Sequence, residues 1–301
     1  MQTSRPFLAL AAAGTLVLAG CAAPAEAEPA DAQTDGAEAA APAAGGGEPL
    51  DILLTNDDGW DAPGITAAYE ALTGAGHSVT LVAPAENQSG KGGSVDITGT
   101  LEVTQPTDDP QIHSVSGTPA TAASFGLKEV MEEAPDLVVS GINAGANAGT
   151  DIRSSGTFGA ASIASGSYGV PAIATSLDAS SEDQADYEAA AQLLLDIIEQ
   201  GAGSLEPGYV LNMNYPNPAE APEDPEVVYA ETAQGSSYVT TYEHQDGDTY
   251  EVSLGHAEDA PESGDLAELS KGNVTLTLIT TTPSLPAEEA GDVTALVDAL
   301  N

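Results

Sequence analysis

The run Ile52-Leu53-Leu54-Thr55-Asn56-Asp57-Asp58-Gly59, continuing to Ala62-Pro63-Gly64-Ile65, limits the fold more than any other stretch. Leu50 to Leu54 reads as an apolar strand, closed off by two adjacent carboxylates and a glycine. Ile65, Ala68, Tyr69 and Leu72 then fall at helical spacing. In an open parallel sheet the carboxyl end of such a strand faces the crevice where ligands bind. Two carboxylates side by side there repel each other, and burying them unpaired is costly. A divalent cation neutralises both. Asn, Asp and Gly are also ordinary turn residues, so this stretch alone leaves a metal site and a capped polar turn both open.

The remainder repeats the pattern. Val79 to Ala83 is a second strand, ending in Pro84-Ala85-Glu86-Asn87-Gln88-Ser89-Gly90. Ser94 to Thr104 and Ile112 to Ser116 read as shorter strand-like pieces. Thr118-Pro119 opens a helix through Ala123, Leu127 and Met131, with Thr118 as N-cap and Pro119 in the first helical position. Asp136 to Ile142 is a buried-strand run, followed by a loop from Asn143 to Gly149. Ser155-Gly156-Thr157 introduces an Ala- and Gly-rich helix, Ala172 to Leu177 is a strand, and Asp183 to Glu199 is an amphipathic helix. Strands alternating with helices predict right-handed βαβ units and an α/β fold with a doubly wound, mostly parallel sheet.

Three polar loops then lie along one sheet edge: Asn56-Asp57-Asp58, Asn87-Gln88-Ser89 and Asn143 to Asn147. The carboxylates of Asp57 and Asp58, the Ser89 hydroxyl and the Asn143 carbonyl make an all-oxygen donor set, which suits Mg2+ or Mn2+ better than zinc. His77, His113, His244 and His256 are scattered and read as surface or internally satisfied residues. Gly145, Gly149 and the Ser155-Gly156-Thr157 helix start offer N–H groups and hydroxyls to a phosphate. Small residues serve tight turns and close packing equally well, so both roles stay open at this point.

The N-terminus reads as an address. Arg5 precedes an apolar run from Phe7 to Ala19, which is short for a bilayer span. The run ends in Leu18-Ala19-Gly20-Cys21, a pattern resembling the bacterial lipobox. Residues 1–20 are therefore expected to be a lipoprotein signal peptide, with Cys21 lipidated and the protein exported and anchored to the membrane. Cys21 is the only cysteine, which excludes a disulfide framework. Residues 21–49, rich in Ala, Gly, Pro and acidic residues, have too little apolar surface to order and read as a flexible tether. Residues 50–301 are left for one domain. Forty-seven acidic residues against five Lys and Arg give a formal net charge of −42. That excludes a nucleic-acid polymer as partner, since such binding needs basic patches. It fits a setting in which salt screens self-repulsion.

Five motifs in order carry a specific resemblance. Ile-Leu-Leu-Thr-Asn-Asp-Asp-Gly with Ala-Pro-Gly-Ile comes first, then Val-Ala-Pro with Asn-Gln-Ser-Gly, then Gly-Thr-Pro-Ala. Val-Val-Ser-Gly-Ile-Asn-Ala-Gly-Ala-Asn-Ala-Gly and Ser-Gly-Thr complete the series. Leu50 to Leu177 thereby resembles the SurE survival-protein family of metal-dependent phosphatases acting on nucleoside monophosphates. Asn212-Met213-Asn214-Tyr215-Pro216 and the run from Asp265 to Thr277 resemble later strands of that family. The resemblance implies metal ligation by Asp57, Asp58, Ser89 and Asn143, with Asn147, Ser155, Gly156 and Thr157 near the phosphate. It also implies a C-terminal β-rich arm over about residues 206–285, a terminal helix, and a homodimer or tetramer. Two departures stand out. The loop before Ser89 is Ala85-Glu86-Asn87-Gln88, where the family usually carries a basic residue, and Ser154 replaces a frequent tyrosine. Lys91 and Arg153 are the cations nearest those positions in sequence.

The chemistry implied is hydrolysis of a phosphomonoester by water attacking phosphorus in line, with Asp57 or Asp58 as general base. An aspartyl-phosphate route would want Asp-x-Asp after the first strand, whereas here the carboxylates are adjacent. No Gly-x-Gly-x-x-Gly or P-loop follows the first strand. The alternative from another class is an exported, lipid-anchored protein that captures a phosphorylated solute without turnover.

Overall fold

β1 (Asp51–Thr55) is the strand from which a nine-stranded sheet extends both ways. On one side it pairs in parallel with β2 (Ser78–Pro84), and β2 pairs in parallel with β4 (Ile112–Val115). The two-residue β3 (Val103–Thr104) closes that edge antiparallel. On the other side β1 pairs with β5 (Leu137–Ala144), then come β6 (Ala172–Leu177) and β7 (Tyr209–Tyr215), all parallel. β11 (Val274–Thr280) lies antiparallel to β7, with β8 (Val227–Tyr229) parallel to β11 at the far edge. The chain thus leaves β1 toward β2 and later returns to β1's other flank as β5. That reversal opens a crevice at the carboxyl ends of β1 and β5, where ligands bind in such sheets. This computed structural model describes residues 48–179, 187–217, 219, 221–257, 259 and 261–282.

Strand alternation divides the core between two faces. Ile52, Leu54, Leu137 and Val139 pack against α1 (Pro63–Gly74) and α4 (Tyr187–Glu199) through Ile65, Leu72, Tyr187 and Leu194. Leu53, Val82 and Val138 pack against α2 (Pro119–Phe125) and α3 (Gly156–Tyr168) through Ala122, Ala161 and Ala164. Helices on both faces make the sheet doubly wound, as expected. Pro63 starts α1 where no N–H is needed, and Ile65, Ala68 and Leu72 then place one buried stripe on β5's side. Leu72 is fully buried, so Leu72→Ala would cost about 2–5 kcal/mol.

Thr118 is the N-cap of α2, accepting from Thr121 N at 3.2 Å. Beyond Phe125 the helix loosens into a π-helical turn, Gly126–Val130, and stops at Met131. The strand-like reading of Ser94 to Thr104 holds only for Val103 and Thr104. Upstream of them the backbone serves the α2 cap instead. Thr118 Oγ1 donates to Ser94 O at 2.5 Å, and the Asp96 carboxylate accepts from Thr118 N and Thr121 Oγ1 at 3.1 and 3.0 Å.

β9 (Tyr238–His244) and β10 (Tyr250–His256) form a separate antiparallel hairpin, and α5 (Gly264–Leu269) precedes β11. The β-rich C-terminal part is therefore present. The signal peptide with Cys21, the tether up to residue 47, the start of the helix expected from Asp183 and the expected terminal helix lie outside the described residues. Among the described residues no helix is long and apolar enough to cross a membrane.

Candidate active site

Each loop at the carboxyl edge is fixed locally and then tied to its neighbours. Asn56, fully buried, donates to Gly59 O at 2.7 Å and accepts from Gly59 N at 3.3 Å, which closes the turn after β1. Gln88 N donates to Asp57 O at 2.7 Å and Trp60 N to Pro84 O at 2.9 Å, stitching this turn to the loop after β2. Asp58 joins all three loops. Its carboxylate accepts from Ala144 N at the end of β5 (3.1 Å) and from Asn87 Nδ2 (3.3 Å). Asn87 Oδ1 accepts from Ser89 N at 3.0 Å, so one side chain positions both Asp58 and Ser89.

Asp57 sits under the N-terminus of α3 and is only 3% exposed. Thr157 Oγ1 donates to its Oδ1 at 2.6 Å across 100 residues of sequence. Burial pushes the Asp57 carboxyl upward, against the Thr157 hydroxyl and the N–H groups of Asp57, Gly156 and Thr157, which pull it down. Gly156 is required by proximity: a Cβ there would lie 2.7 Å from Asp57 Cβ. Ser155 caps the same helix, its Oγ accepting from Phe158 N at 3.0 Å. The helix start thus presents positive N–H dipoles to the carboxylate side of the crevice.

Asp57, Ser89, Asn143, Asn147 and Ser155 all line one cavity of about 670 Å3. Asn143 Nδ2 donates to Ala144 O (3.2 Å) and Gly145 O (2.6 Å). Both partners are carbonyls, which only accept, so the amide orientation is fixed and Oδ1 is left as the acceptor. Asn143 belongs to the end of β5 rather than to the loop after it. Asn147 has its amide nitrogen committed to Ser176 Oγ (2.9 Å) and Thr157 Oγ1 (3.3 Å). Its backbone is held by Asn214 and Asn212: N donates to Asn214 Oδ1 at 2.8 Å, and O accepts from Asn212 Nδ2 at 2.8 Å and Asn214 Nδ2 at 3.1 Å. Thr157, fully buried, stands behind Asp57 as its hydrogen-bond donor. Among the phosphate-side residues expected, Gly156 and Thr157 therefore contribute through backbone and through Asp57.

The donor set fits a hard divalent cation. Asp57 is a buried carboxylate, and the one ion pair among the described residues is Lys271–Glu268, so no Lys or Arg neutralises it. No three of His, Cys, Asp and Glu converge among the described residues. A cation site therefore depends on the neutral oxygens of Ser89 and Asn143 beside the two aspartates, a set suited to magnesium or manganese. Two of the scattered histidines are satisfied: His77 Nδ1 accepts from Leu50 N at 3.1 Å, and His244 Nε2 bonds Gly247 O at 2.8 Å.

The far wall of the cavity has no signature in the sequence. Tyr238, Thr240, Leu254 and His256 from the hairpin line it, with Asp151 and Asp178 beside them. The Tyr238 and His256 rings lie 5.3 Å apart, centroid to centroid. Burial raises the Tyr238 phenol, with the charges of Asp178 and Asp151 adding to it. Aromatic residues on an exposed, acidic segment carry no periodicity that would place them here. Lys91 and Arg153 lie on segments that meet, since Gly92 N donates to Ser154 O at 3.0 Å.

The comparisons with known proteins agree with this geometry. The family model described as Survival protein SurE matches residues 52–240. The 5'-nucleotidase SurE of Methanopyrus kandleri is 37% identical over 240 residues, covering 76% of this chain and 91% of the relative. That of Methanococcoides burtonii is 37% identical over 251 residues, covering 78% and 95%. A crystal structure of the SurE protein from Aquifex aeolicus superposes with a TM-score of 0.67 at 29% identity. It covers 82% of this chain and 99% of that one.

Proposed function

The chain belongs to the SurE family, and from that premise we propose that it is a metal-dependent phosphomonoesterase hydrolysing nucleoside monophosphates. The observation that carries the proposal is the meeting of buried Asp57 and Asn143 with half-buried Asp58 at the β1/β5 switch point, beneath the N-terminus of α3. Asp57, Asp58, Ser89 and Asn143 would hold a magnesium or manganese ion, which would supply Lewis acidity toward a phosphate oxygen and lower the pKa of the attacking water. The chain does the rest. Asp57, aimed by Thr157, or Asp58, aimed by Ala144 N and Asn87, takes the proton of the attacking water. The Ser155 hydroxyl and the N-terminus of α3 face the phosphoryl oxygens as charge spreads over them, while Asn147, Gly156 and Thr157 hold that wall and Asp57 in place. A nucleoside extends toward Tyr238 and His256, whose rings supply apolar faces at the far side of the same cavity.

Phosphate release from AMP with added Mn2+ or Mg2+, with and without EDTA, tests the proposal. Release that needs the metal is expected; no release from any nucleoside monophosphate with either cation would overturn it.

Two further properties belong to this reading. The lipobox-like pattern ending at Cys21 supports export and membrane anchoring, and loss of the lipid's mass from a Cys21→Ser variant would check it. The hairpin leaves Tyr242, Val252 and Leu254 each more than 60% exposed, which supports assembly into a homodimer or tetramer through this arm.

A further inference from the structure

We propose that Asp265 is a positioning residue that sets the span between the phosphate side and the hairpin side of the active-site cavity. Asp265 is completely buried, yet it lines no part of that cavity. It is also outside the one ion pair among the described residues. Its carboxylate is satisfied by backbone N–H groups from three separate segments. Gly149 N donates to both oxygens (3.1 and 3.0 Å), Ala233 N to Oδ1 (2.9 Å) and Leu266 N to Oδ1 (2.9 Å). Buried carboxylates bonded this way hold backbone firmly, because each N–H would otherwise be left unpaired.

The segments so joined are the two walls of the site. Gly149 lies two residues after Asn147, whose side chain reaches Thr157 and through it Asp57. Ala233 leads into Ser236, Ser237 and Tyr238. Around the clamp, Thr150 N donates to Gly235 O (2.7 Å), and Asp265 N to Glu231 O (2.8 Å). Ala148, Ala233 and Leu266 pack together as a small apolar cluster. Asp151 extends the same joint, accepting from Ser237 N at 3.0 Å and from the hydroxyls of Ser236 and Ser237. Gly149 has φ +56°, and a Cβ there would lie 2.4 Å from Gly235 O, so the two walls approach as closely as backbone allows.

The inference rests on the nucleotidase reading, because only a substrate that touches both walls senses their spacing. Asp265→Asn is the informative variant. Its amide oxygen can keep the Ala233 and Leu266 N–H groups, which bond Oδ1 alone, while its NH2 replaces the second acceptor of Gly149. The measurement is kcat and KM for AMP and for a small aryl phosphate, both with Mn2+. The expected result is a loss in kcat/KM at least about ten-fold larger for AMP, carried mainly by KM, with the aryl phosphate within about three-fold of wild type. Equal losses for both substrates, or none for either, would overturn it. Wild-type chain inactive on both would overturn the nucleotidase reading instead. Should the variant not fold, hydrogen exchange on the wild-type chain decides. The amides of Gly149 and Ala233 are expected to exchange as slowly as those of β5, and exchange as fast as that of the exposed neighbour Gln234 would overturn the clamp.

Discussion

The two ends of the parallel strands each carry a cavity of comparable size, and the residues that suit phosphate chemistry line only one of them. At the amino ends of β1, β2 and β4, about 760 Å3 is lined by Asp51, Gln111, His113, Glu129 and Glu133 among others. At the carboxyl ends, about 670 Å3 is lined by Asp57, Ser89, Asn143 and Asn147. Volume and acidity therefore do not separate them. What differs is the direction of the backbone. Every strand–helix connection starts a helix at the carboxyl end, so N–H dipoles collect there, while helix C-termini and their carbonyls face the other end. Glu129 and Glu133 follow the close of α2 and add negative charge to that carbonyl end. The dipoles thus favour an anionic group such as a phosphate at the carboxyl ends and disfavour it at the amino ends.

The contrast between the two ends is tested hardest at Asp57. Asp57→Asn is expected to lower turnover by about 10^3-fold or more. Its melting temperature should stay at or above wild type in metal-free buffer, because a buried unneutralised carboxylate is removed. Thr157→Val acts one bond further back and should weaken Mn2+ by about 10- to 100-fold, read from the metal dependence of activity. Raising ionic strength from about 10 to about 150 mM should increase kcat/KM several-fold, since the −42 surface repels an anionic substrate until salt screens it. A flat or falling profile would contradict that. Glu129→Gln in the amino-end cavity should change kcat/KM by less than about two-fold, the scatter of a surface substitution.

The smallest effect concerns stability at the amino ends. Burial lowers the pKa of His77, whose Nδ1 accepts from Leu50 N. A histidine lowered on folding contributes stability that is present above its unfolded pKa of about 6.5 and is lost as pH falls below it. The melting temperature of wild type minus that of His77→Asn should therefore shrink between about pH 7.5 and about pH 5.5, with activity at the higher pH unchanged.

What the sequence made legible was local or set by topology. Asn56 to Gly59 is a self-contained turn, Thr118-Pro119 carries a local cap signal in which Thr118 accepts from Thr121 N, and strand–helix alternation places Ser89 and Asn143 on the edge that carries Asp57. What stayed hidden depends on partners far apart in the chain. Thr157 reads as a phosphate ligand from its motif, but its hydroxyl faces a carboxylate 100 positions earlier. Asn212 and Asn214 read as strand residues, whereas they clamp the backbone of Asn147. Ser94 to Thr104 alternates like a strand, yet the polar groups of Ser94 and Asp96 are taken up by α2's N-terminus. Tyr238 and His256 reach the cavity only because the hairpin folds back over it.

Crystals grown with Mn2+ and read by their anomalous difference map put the metal site itself to the proof. The prediction is one strong peak at the β1/β5 crevice with oxygens of Asp57, Asp58, Ser89 and Asn143 within about 2.5 Å. A peak elsewhere, or an ion there that leaves either aspartate out of its coordination, would contradict it.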